Sequence, residues 1–362
     1  MPLTRSFICR CGRPIFFGNI FCLGCQAPLG YEPTLGLLVP LEPSEIPGVW
    51  KLLNDAGTGR YRRCANLGFP SGCNWLLKDH GDGTTLCKSC RLERVIPDLS
   101  DPDNFAPYQR IAIAKRRLVA LLMSLGLPVC SRVSEDTERG LAFDFLRSPA
   151  AGPAIMTGHE DGIVTLNIEE AEDSIRERIR AQMGEPYRTL LGHLRHETGH
   201  YYWDRLVQNT AWHDEFRNVF GDERQDYNGA LSAYYQNGPA VNWQHAYVSA
   251  YASAHPWEDW AETWAHLLHM EDTYRTAVSF GMDPESSLYL QVEPFETDTI
   301  VAPNPTEGTM FLRFINAWTR LTAVMNELSR AMGQSDFYPF VLSRGAVAKL
   351  HFVHRVIEES AM

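Results

Sequence analysis

The sequence predicts an α+β fold, in which a small cysteine-rich module precedes a mostly helical domain with a small sheet. Eight of the nine cysteines lie in the first quarter of the 362 residues. From Tyr108 onwards, most segments carry apolar residues three and four positions apart, the period of an amphipathic helix. The segment GIVTLNI at 162–168 has instead the alternating β-branched pattern of a strand.

The composition is that of a globular protein, with 44% hydrophobic and 21% charged residues. The net charge of −11 disfavours nucleic acid as the main partner. No stretch approaches the roughly 18 uncharged apolar residues of a membrane span. The first residues, MPLTRSFICRCG, lack the apolar core of a secretion signal. We therefore expect a cytoplasmic protein that has no membrane partner.

The early cysteines form two clusters. Without a secretion signal, their density favours metal over disulfides. In the first cluster two close pairs flank a short apolar hairpin, PIFFGNIF, and Gly12 and Gly24 suit the tight turns of a tetrahedral thiolate site. We expect two structural Zn²⁺ ions, the first bound by Cys9, Cys11, Cys22 and Cys25 and the second by Cys64, Cys73, Cys87 and Cys90. Iron, disulfides and pairing across the clusters are the alternatives.

A closed four-cysteine site has no open position for water, so its expected role is to stabilise a module with a small core. The basic side chains of Arg60, Arg62 and Arg63 beside Tyr61 suggest a docking patch for a protein partner; the alternative is a solvated loop before Cys64.

Prolines among acidic residues at 91–107 indicate a linker. The predicted organisation is a metal-binding module at 1–95, a linker at 96–107 and a second domain at 108–362.

The segment His196-Glu197-Thr198-Gly199-His200 matches H-E-x-x-H, within a helix expected to begin at Pro186 and run to Val207. On a helix the two histidines share a face and can bind one ion, with Glu197 beside them as a base. The alternative is an ordinary helix with two satisfied histidines. Two histidines do not complete a zinc site, so a third ligand must come from elsewhere.

Trp203 and Leu206 occupy the positions where a metzincin has its glycine and third histidine, which excludes that class. Asp204 lies on the same helix and is poorly placed to close a tetrahedron. A second predicted helix at 255–270 offers a better candidate, because Glu258, Ala261, Glu262 and Ala265 share one of its faces.

The two alanines would let this helix pack closely against the motif helix. Glu258 is the expected third ligand, and Glu262 is expected to accept the free ring N–H of a ligand histidine. Glu262 as the ligand, or an ordinary surface pair, are the alternatives. We expect rim or packing roles for His193, His255, His266 and His269.

The motif at 196–200 followed by EDWAETWA at 258–265 resembles the gluzincin metallopeptidases, whose third ligand is a Glu on a following helix. The wider chain, including the cysteine-rich start, the block at 184–203 and GDERQDY at 221–227, resembles a bacterial family of zinc-binding metallopeptidases with an amino-terminal zinc ribbon. The resemblance implies a zincin-like catalytic domain with a hydrolytic role.

The resemblance also implies that Tyr251, seven residues before Glu258, donates to the oxyanion. Tyr247 is the alternative, and either could be an ordinary aromatic residue. The expected activity is hydrolysis of a peptide or protein by one catalytic Zn²⁺, with Glu197 activating the water. The strand at 162–168 is expected to be the edge strand that pairs with substrate. A non-catalytic, zinc-stabilised binding or adaptor protein is the alternative, which the intact Glu197 disfavours.

Overall fold

The computed structural model describes residues 5–53, 59–149, 151–183, 188–285, 293–300 and 304–361. These residues form helices and three sheets, which confirms the α+β prediction. The chain divides into two compact units, residues 1–181 and 182–362. No helix among the described residues is long and apolar enough to cross a membrane.

The cysteine-rich region builds two antiparallel sheets. The first pairs β1 (Phe7–Ile8) with β2 (Pro14–Ile15). The second is five-stranded, in the chain order β3 (Leu29–Glu32), β4 (Leu37–Pro43), β5 (Trp50–Leu52), β6 (Tyr61–Arg63) and β7 (Leu76–Lys78). Its small apolar core is made by Leu41, Leu52, Tyr61 and Leu76.

Three residues of the predicted basic-aromatic patch, Tyr61, Arg62 and Arg63, form β6. Their side chains contact other residues of the same module. Tyr61 is only 6% exposed. Arg62 pairs with Asp79 at 2.9 Å, and the guanidinium of Arg63 donates to the carbonyl oxygens of Ile20 and Leu29 at 3.0 Å each. The alternative of a solvated loop before Cys64 is wrong, because Tyr61–Arg63 is a paired strand. The Arg62 side chain is still 43% exposed and accessible to a partner. A protein partner of this module stays a prediction.

The rest of the first unit contains α1 (Phe105–Ser124), α2 (Asp173–Met183) and a four-stranded sheet. The sheet runs in the order β10 (Gly158–Glu160), β11 (Ile163–Asn167), β9 (Ala142–Leu146) and β8 (Glu93–Val95). The strand predicted at 162–168 is β11, but the expectation that it is an edge strand is wrong. It pairs with β10 on one side and β9 on the other, so its backbone groups are already used.

The second unit is helical over its described residues. Its helices are α3 (Leu190–Leu206), α4 (His213–Phe220), α5 (Tyr227–Asn237), α6 (Pro256–Ser279), α7 (Pro305–Ala331) and α8 (Arg344–Ser360). The H-E-x-x-H motif lies in α3, which the Thr189 side chain caps. Pro186, where this helix was expected to begin, lies outside the described residues. The helix α6 starts with Pro256 in its first turn and His255 as its cap, as its sequence indicates.

The helices α3 and α6 cross in close contact at Gly199. A Cβ added to Gly199 would lie 3.0 Å from the Cα of Ala261 and 3.2 Å from the Cδ1 of Trp264. The indole N–H of Trp260 donates to the carbonyl oxygen of Gly199 at 2.8 Å. The predicted close packing is therefore present, and it requires glycine on α3 as well as alanine on α6.

We expect Gly199→Ala to destabilise the protein, because the new methyl group meets backbone that cannot move aside. Overpacking of this kind usually costs about 1–3 kcal/mol. In an unhindered helix the same change would stabilise by roughly 0.5–1 kcal/mol. Chemical denaturation therefore tests the contact by whether Gly199→Ala has a lower or a higher free energy of unfolding than wild type. A higher value would contradict the close contact.

Candidate metal centre

Three of the predicted ligands converge between α3 and α6. One donor atom from each of His196, His200 and Glu258 lies within 4.8 Å of the others. The Nε2 atoms of the two histidines are 3.2 Å apart, and Glu258 Oε2 lies 3.0 Å from His196 Nε2. The Oε1 atom of Glu258 lies 3.6 Å from His200 Nε2. Thus Glu258 lies beside two histidines that precede it in the sequence by 58 and 62 positions.

This donor set fits zinc. Zinc binds histidine nitrogen and carboxylate oxygen at about 2.0–2.2 Å, so tetrahedral ligand atoms lie about 3.3–3.5 Å apart. The separations of 3.2 Å between the two histidine nitrogens and 3.0 Å between His196 Nε2 and Glu258 Oε2 are close to this value. Buried Oε2 of Glu258 has no hydrogen-bond partner within the described chain, so it is available as a ligand. Three protein ligands leave a fourth position open, as in catalytic zinc sites.

Glu262 takes the predicted place next to His196. Its Oε1 lies 2.8 Å from His196 Nδ1, and its Oε2 accepts from the Ser249 hydroxyl at 2.5 Å. Because the carboxylate accepts the Nδ1 proton, Nε2 of His196 is the atom left for a metal. The chain Ser249–Glu262–His196 therefore fixes both the orientation and the tautomer of this ligand. Sequence reasoning missed Ser249, which has no spacing signal.

The electrostatics of the cluster favour a positive charge at its centre. Burial alone would raise the pKa of Glu258, but His200 and His196 hold it at about 2. Burial likewise would raise the pKa of Glu262, but the hydrogen bond and charge of His196 lower that pKa to about 2. These two carboxylates raise the pKa of His196 well above its ordinary range, although burial opposes this. A divalent cation would supply the positive charge that the two carboxylates attract.

The two predicted catalytic side chains lie near the ligands. Glu197 follows His196 on α3, is half-buried and interacts electrostatically with Tyr227. The ring of Tyr251, in a short 3-10 helix at Tyr251–Ser253, is centred 6.0 Å from that of His196. The Tyr247 ring instead packs under Lys349, whose Nζ lies 4.0 Å from the centre of the ring. Of the two tyrosines, these contacts favour Tyr251 over Tyr247.

Two aromatic residues at the cluster were not predicted. The Tyr227 hydroxyl donates to Glu258 Oε1 at 2.6 Å. The Trp257 ring is centred 4.0 Å from that of His200. The signal that could have found Tyr227 is its place in the GDERQDY block; Trp257 could have been noted as the neighbour of Glu258.

Three other histidines of this unit, His255, His266 and His269, have structural contacts, and His193 is not among the converging ligands. His255 caps α6 by accepting from the Trp257 backbone N–H at 3.1 Å. His266 Nδ1 lies 2.6 Å from the Tyr338 hydroxyl, and burial lowers the pKa of His266 to about 4. His269 contacts Arg195, which also pairs with Asp272 at 2.8 Å. These contacts fit the packing roles expected of His255, His266 and His269.

The early cysteines gather into two separate groups of four, with no mixing between the clusters. The sulfur separations are 3.6 Å for Cys9–Cys25, 3.7 Å for Cys11–Cys22 and 3.6 Å for Cys73–Cys87. Zn–S bonds of about 2.3 Å would place tetrahedral sulfurs about 3.8 Å apart. Disulfides are absent from the described chain, in which all nine cysteines are free.

Local backbone explains how the first group forms. Gly12 has φ +80°, and its N–H donates to the Cys9 carbonyl in a tight turn. Gly24 was expected to serve the same purpose, but the left-handed residue of the second turn is Gln26, at φ +59°. Backbone N–H groups of Cys25 and Gly24 lower the pKa of Cys22 to about 6, which favours the metal-binding thiolate.

Comparison with known proteins finds two family matches. A family described as "Putative zinc-binding metallo-peptidase" matches residues 104–356. A family described as "zinc-ribbon domain" matches residues 6–101. Uncharacterized proteins of Mycobacterium bovis and of two Mycobacterium tuberculosis strains are each 38% identical over 361 residues, covering 99% of this chain and 96% of the relative. No solved structure matches the chain significantly.

We expect elemental analysis of the purified chain to find three zinc ions, and Glu258→Ala to reduce this to two. The variant removes one of only three ligands, whereas the cysteine groups are untouched. Glu327→Ala is the matched control, because the Glu327 side chain is 72% exposed on α7. Retention of all three ions in Glu258→Ala would exclude Glu258 as a ligand.

Proposed function

We propose that this chain, which belongs to the family described as "Putative zinc-binding metallo-peptidase", hydrolyses peptide bonds with a bound zinc ion. The observation that carries the proposal is the convergence of His196, His200 and Glu258, with Glu197 next to the first ligand. The family matches agree with the resemblance drawn from the cysteine-rich start and the two helical motifs.

Each residue of the centre has a distinct role in this proposal. His196, His200 and Glu258 hold the metal, and Glu262 holds the His196 ring in place. Bound zinc supplies Lewis acidity, which lowers the pKa of water and polarises a carbonyl group. Glu197 accepts a proton from the attacking water and passes it to the leaving amine.

Tyr251 is proposed to donate a hydrogen bond from its hydroxyl to the oxygen that becomes negative as the carbonyl is attacked. Its support is the position of its ring beside His196. Burial, and then the charge of Glu258, raise the pKa of Tyr251, so its hydroxyl stays protonated and able to donate.

The two cysteine groups are proposed to hold structural zinc. All four ligands of each group are thiols from the chain, so no position is open for chemistry. Their role is to stabilise small sheets whose apolar core consists of a few side chains. Recruitment of a protein substrate or partner by this module is a further part of the proposal.

The competing function is a zinc-stabilised adaptor that does not hydrolyse its ligand. It would need the same metal ligands, so metal content does not separate the two functions. Glu197 does, because a structural site has no use for a base beside an open ligand position.

We expect Glu197→Gln to keep three zinc ions and to lower hydrolysis about 10²–10⁴-fold, the usual contribution of a general base. The measurement is mass spectrometry of new peptide termini after a proteome digest is incubated with wild type or variant. Glu327→Gln, on the exposed face of α7, is the matched control and should cleave like wild type. Wild type that produces no more new termini than a digest without protein would support the adaptor, and equal cleavage by wild type and Glu197→Gln would overturn the role of Glu197 as the base.

A further inference from the structure

The carboxylate of Glu258 divides its two oxygens between different partners. The side chain is 1% exposed, so water does not satisfy it. Oε1 accepts from the Tyr227 hydroxyl at 2.6 Å and lies 3.6 Å from His200 Nε2. Oε2 lies closer to the histidine pair, 3.0 Å from His196 Nε2, and accepts no hydrogen bond within the described chain. Tyr227 therefore distinguishes two oxygens that are chemically equivalent in a free carboxylate.

We propose that Tyr227 is a positioning residue that makes Glu258 a one-oxygen ligand and so keeps one metal position open for water or substrate. This inference rests on the proposed zinc site. A carboxylate can bind a metal through one oxygen or both. Binding through both would occupy the position that a catalytic site leaves open. A hydrogen bond to Oε1 favours the one-oxygen mode by engaging the second oxygen.

Tyr227 is itself held in place by neighbours from two directions. Its ring is centred 5.2 Å from that of His255 and 5.7 Å from that of Trp257, both beside the start of α6. The Nε2 of His255 lies 3.3 Å from the Gln225 carbonyl oxygen, two residues before Tyr227. The Asp226 side chain caps α5, in which Tyr227 is the first residue. The packed aromatic rings and the capped helix thus position the Tyr227 hydroxyl next to Glu258.

These contacts also indicate that Tyr227 and Tyr251 have different roles. The Tyr227 hydroxyl donates its one hydrogen bond to Glu258 Oε1 at 2.6 Å, so it does not donate to a substrate oxygen. The rest of α5 has no buried residue, and its Tyr234 ring contacts Tyr251 with centres 5.5 Å apart. Tyr227 therefore acts through a metal ligand rather than on substrate.

The test compares Tyr227→Phe with Tyr274→Phe in the full-length chain. Tyr274 makes the same type of bond, donating to Glu285 at 2.9 Å, but it lies sixteen residues after Glu258 on α6. That spacing is about 24 Å along a helix, so Tyr274→Phe removes a Tyr–Glu bond without touching the metal centre.

The first measurement is zinc affinity of the three-ligand site, by competition with a chromophoric chelator after a weak chelator has emptied that site alone. Tyr227→Phe should bind zinc about 10–100-fold more weakly, the usual loss when a ligand's outer partner is removed. Tyr274→Phe should bind zinc as wild type does. An unchanged affinity in Tyr227→Phe would overturn the positioning role.

The second measurement is the visible spectrum of Co²⁺ loaded into the emptied site. Wild type should show the intense absorption of a four-coordinate ion. Tyr227→Phe should show a weaker band, because both oxygens of Glu258 then reach the metal and the ion becomes five-coordinate. Loss of general stability would not produce this spectral change, so it separates positioning from a merely structural effect.

Wild-type protein alone also decides the proposal, in case Tyr227→Phe fails to fold. X-ray absorption at the cobalt edge, with Co²⁺ loaded into the emptied three-ligand site, should show one carboxylate oxygen from the protein, and two-oxygen binding by Glu258 in wild type would overturn the role of Tyr227. A wild-type chain with only two zinc ions would overturn the proposed function as well. A third ion with unchanged Tyr227→Phe behaviour would overturn the Tyr227 role alone.

Discussion

The close crossing of α3 and α6 is the constraint on which the candidate centre depends. His196 and His200 come from one helix and Glu258 from the other, so the separation of the helix axes sets the distances between the histidine nitrogens and the Glu258 oxygens. Gly199 lies one residue before a ligand, and Ala261 lies three residues after one. Small residues at the contact let both ligand faces reach one ion, and the Trp260–Gly199 hydrogen bond fixes the register of the two helices.

The same crossing forces charge into the interior, and each buried charge on α6 has its own partner. Asp272 pairs with Arg195 of α3, and Asp259 pairs with Lys349 of α8 at 2.5 Å. Burial still raises the pKa of Asp259 to about 7 against the effect of Lys349, which shows how strongly this interior opposes a bare carboxylate. Glu258 differs, because its nearest positively charged partners are the two histidines that a metal requires to be neutral. A bound cation would therefore replace the protons that this buried cluster otherwise attracts.

Much of this arrangement could be predicted from the sequence because it rests on local periodicity. The spacing of His196 and His200, and of Glu258 and Glu262, is a property of one helix each, and the alanines on α6 indicate which face is packed. Both helices are present, but α6 continues to Ser279, nine residues past its predicted end, and α1 begins at Phe105, three residues before the periodic pattern suggested. The pairing of β11 and the packing of Arg62 and Arg63 could not be read in this way. The β9–β11 pairing and the contacts of Arg63 with Ile20 and Leu29 join segments that are about 20 to 43 residues apart, so local periodicity does not predict them. The partner β10 is adjacent in sequence, across a two-residue Asp161-Gly162 turn that the strand prediction at 162–168 did not use.

The two kinds of metal site also depend on metal to different degrees. Each cysteine group joins short segments, and the core cluster of the five-stranded sheet has only four buried side chains, so thiolate–metal bonds there would add to a small core. The histidine–carboxylate site instead lies on long helices packed by fully buried Trp260, Trp264 and Trp318. Those helices hold the ligands, and Ser249, Glu262 and Tyr227 orient two of them before any ion arrives. If zinc occupies both kinds of site as proposed, it would contribute to folding in the first case, whereas in the second the fold would prepare the ligands for binding.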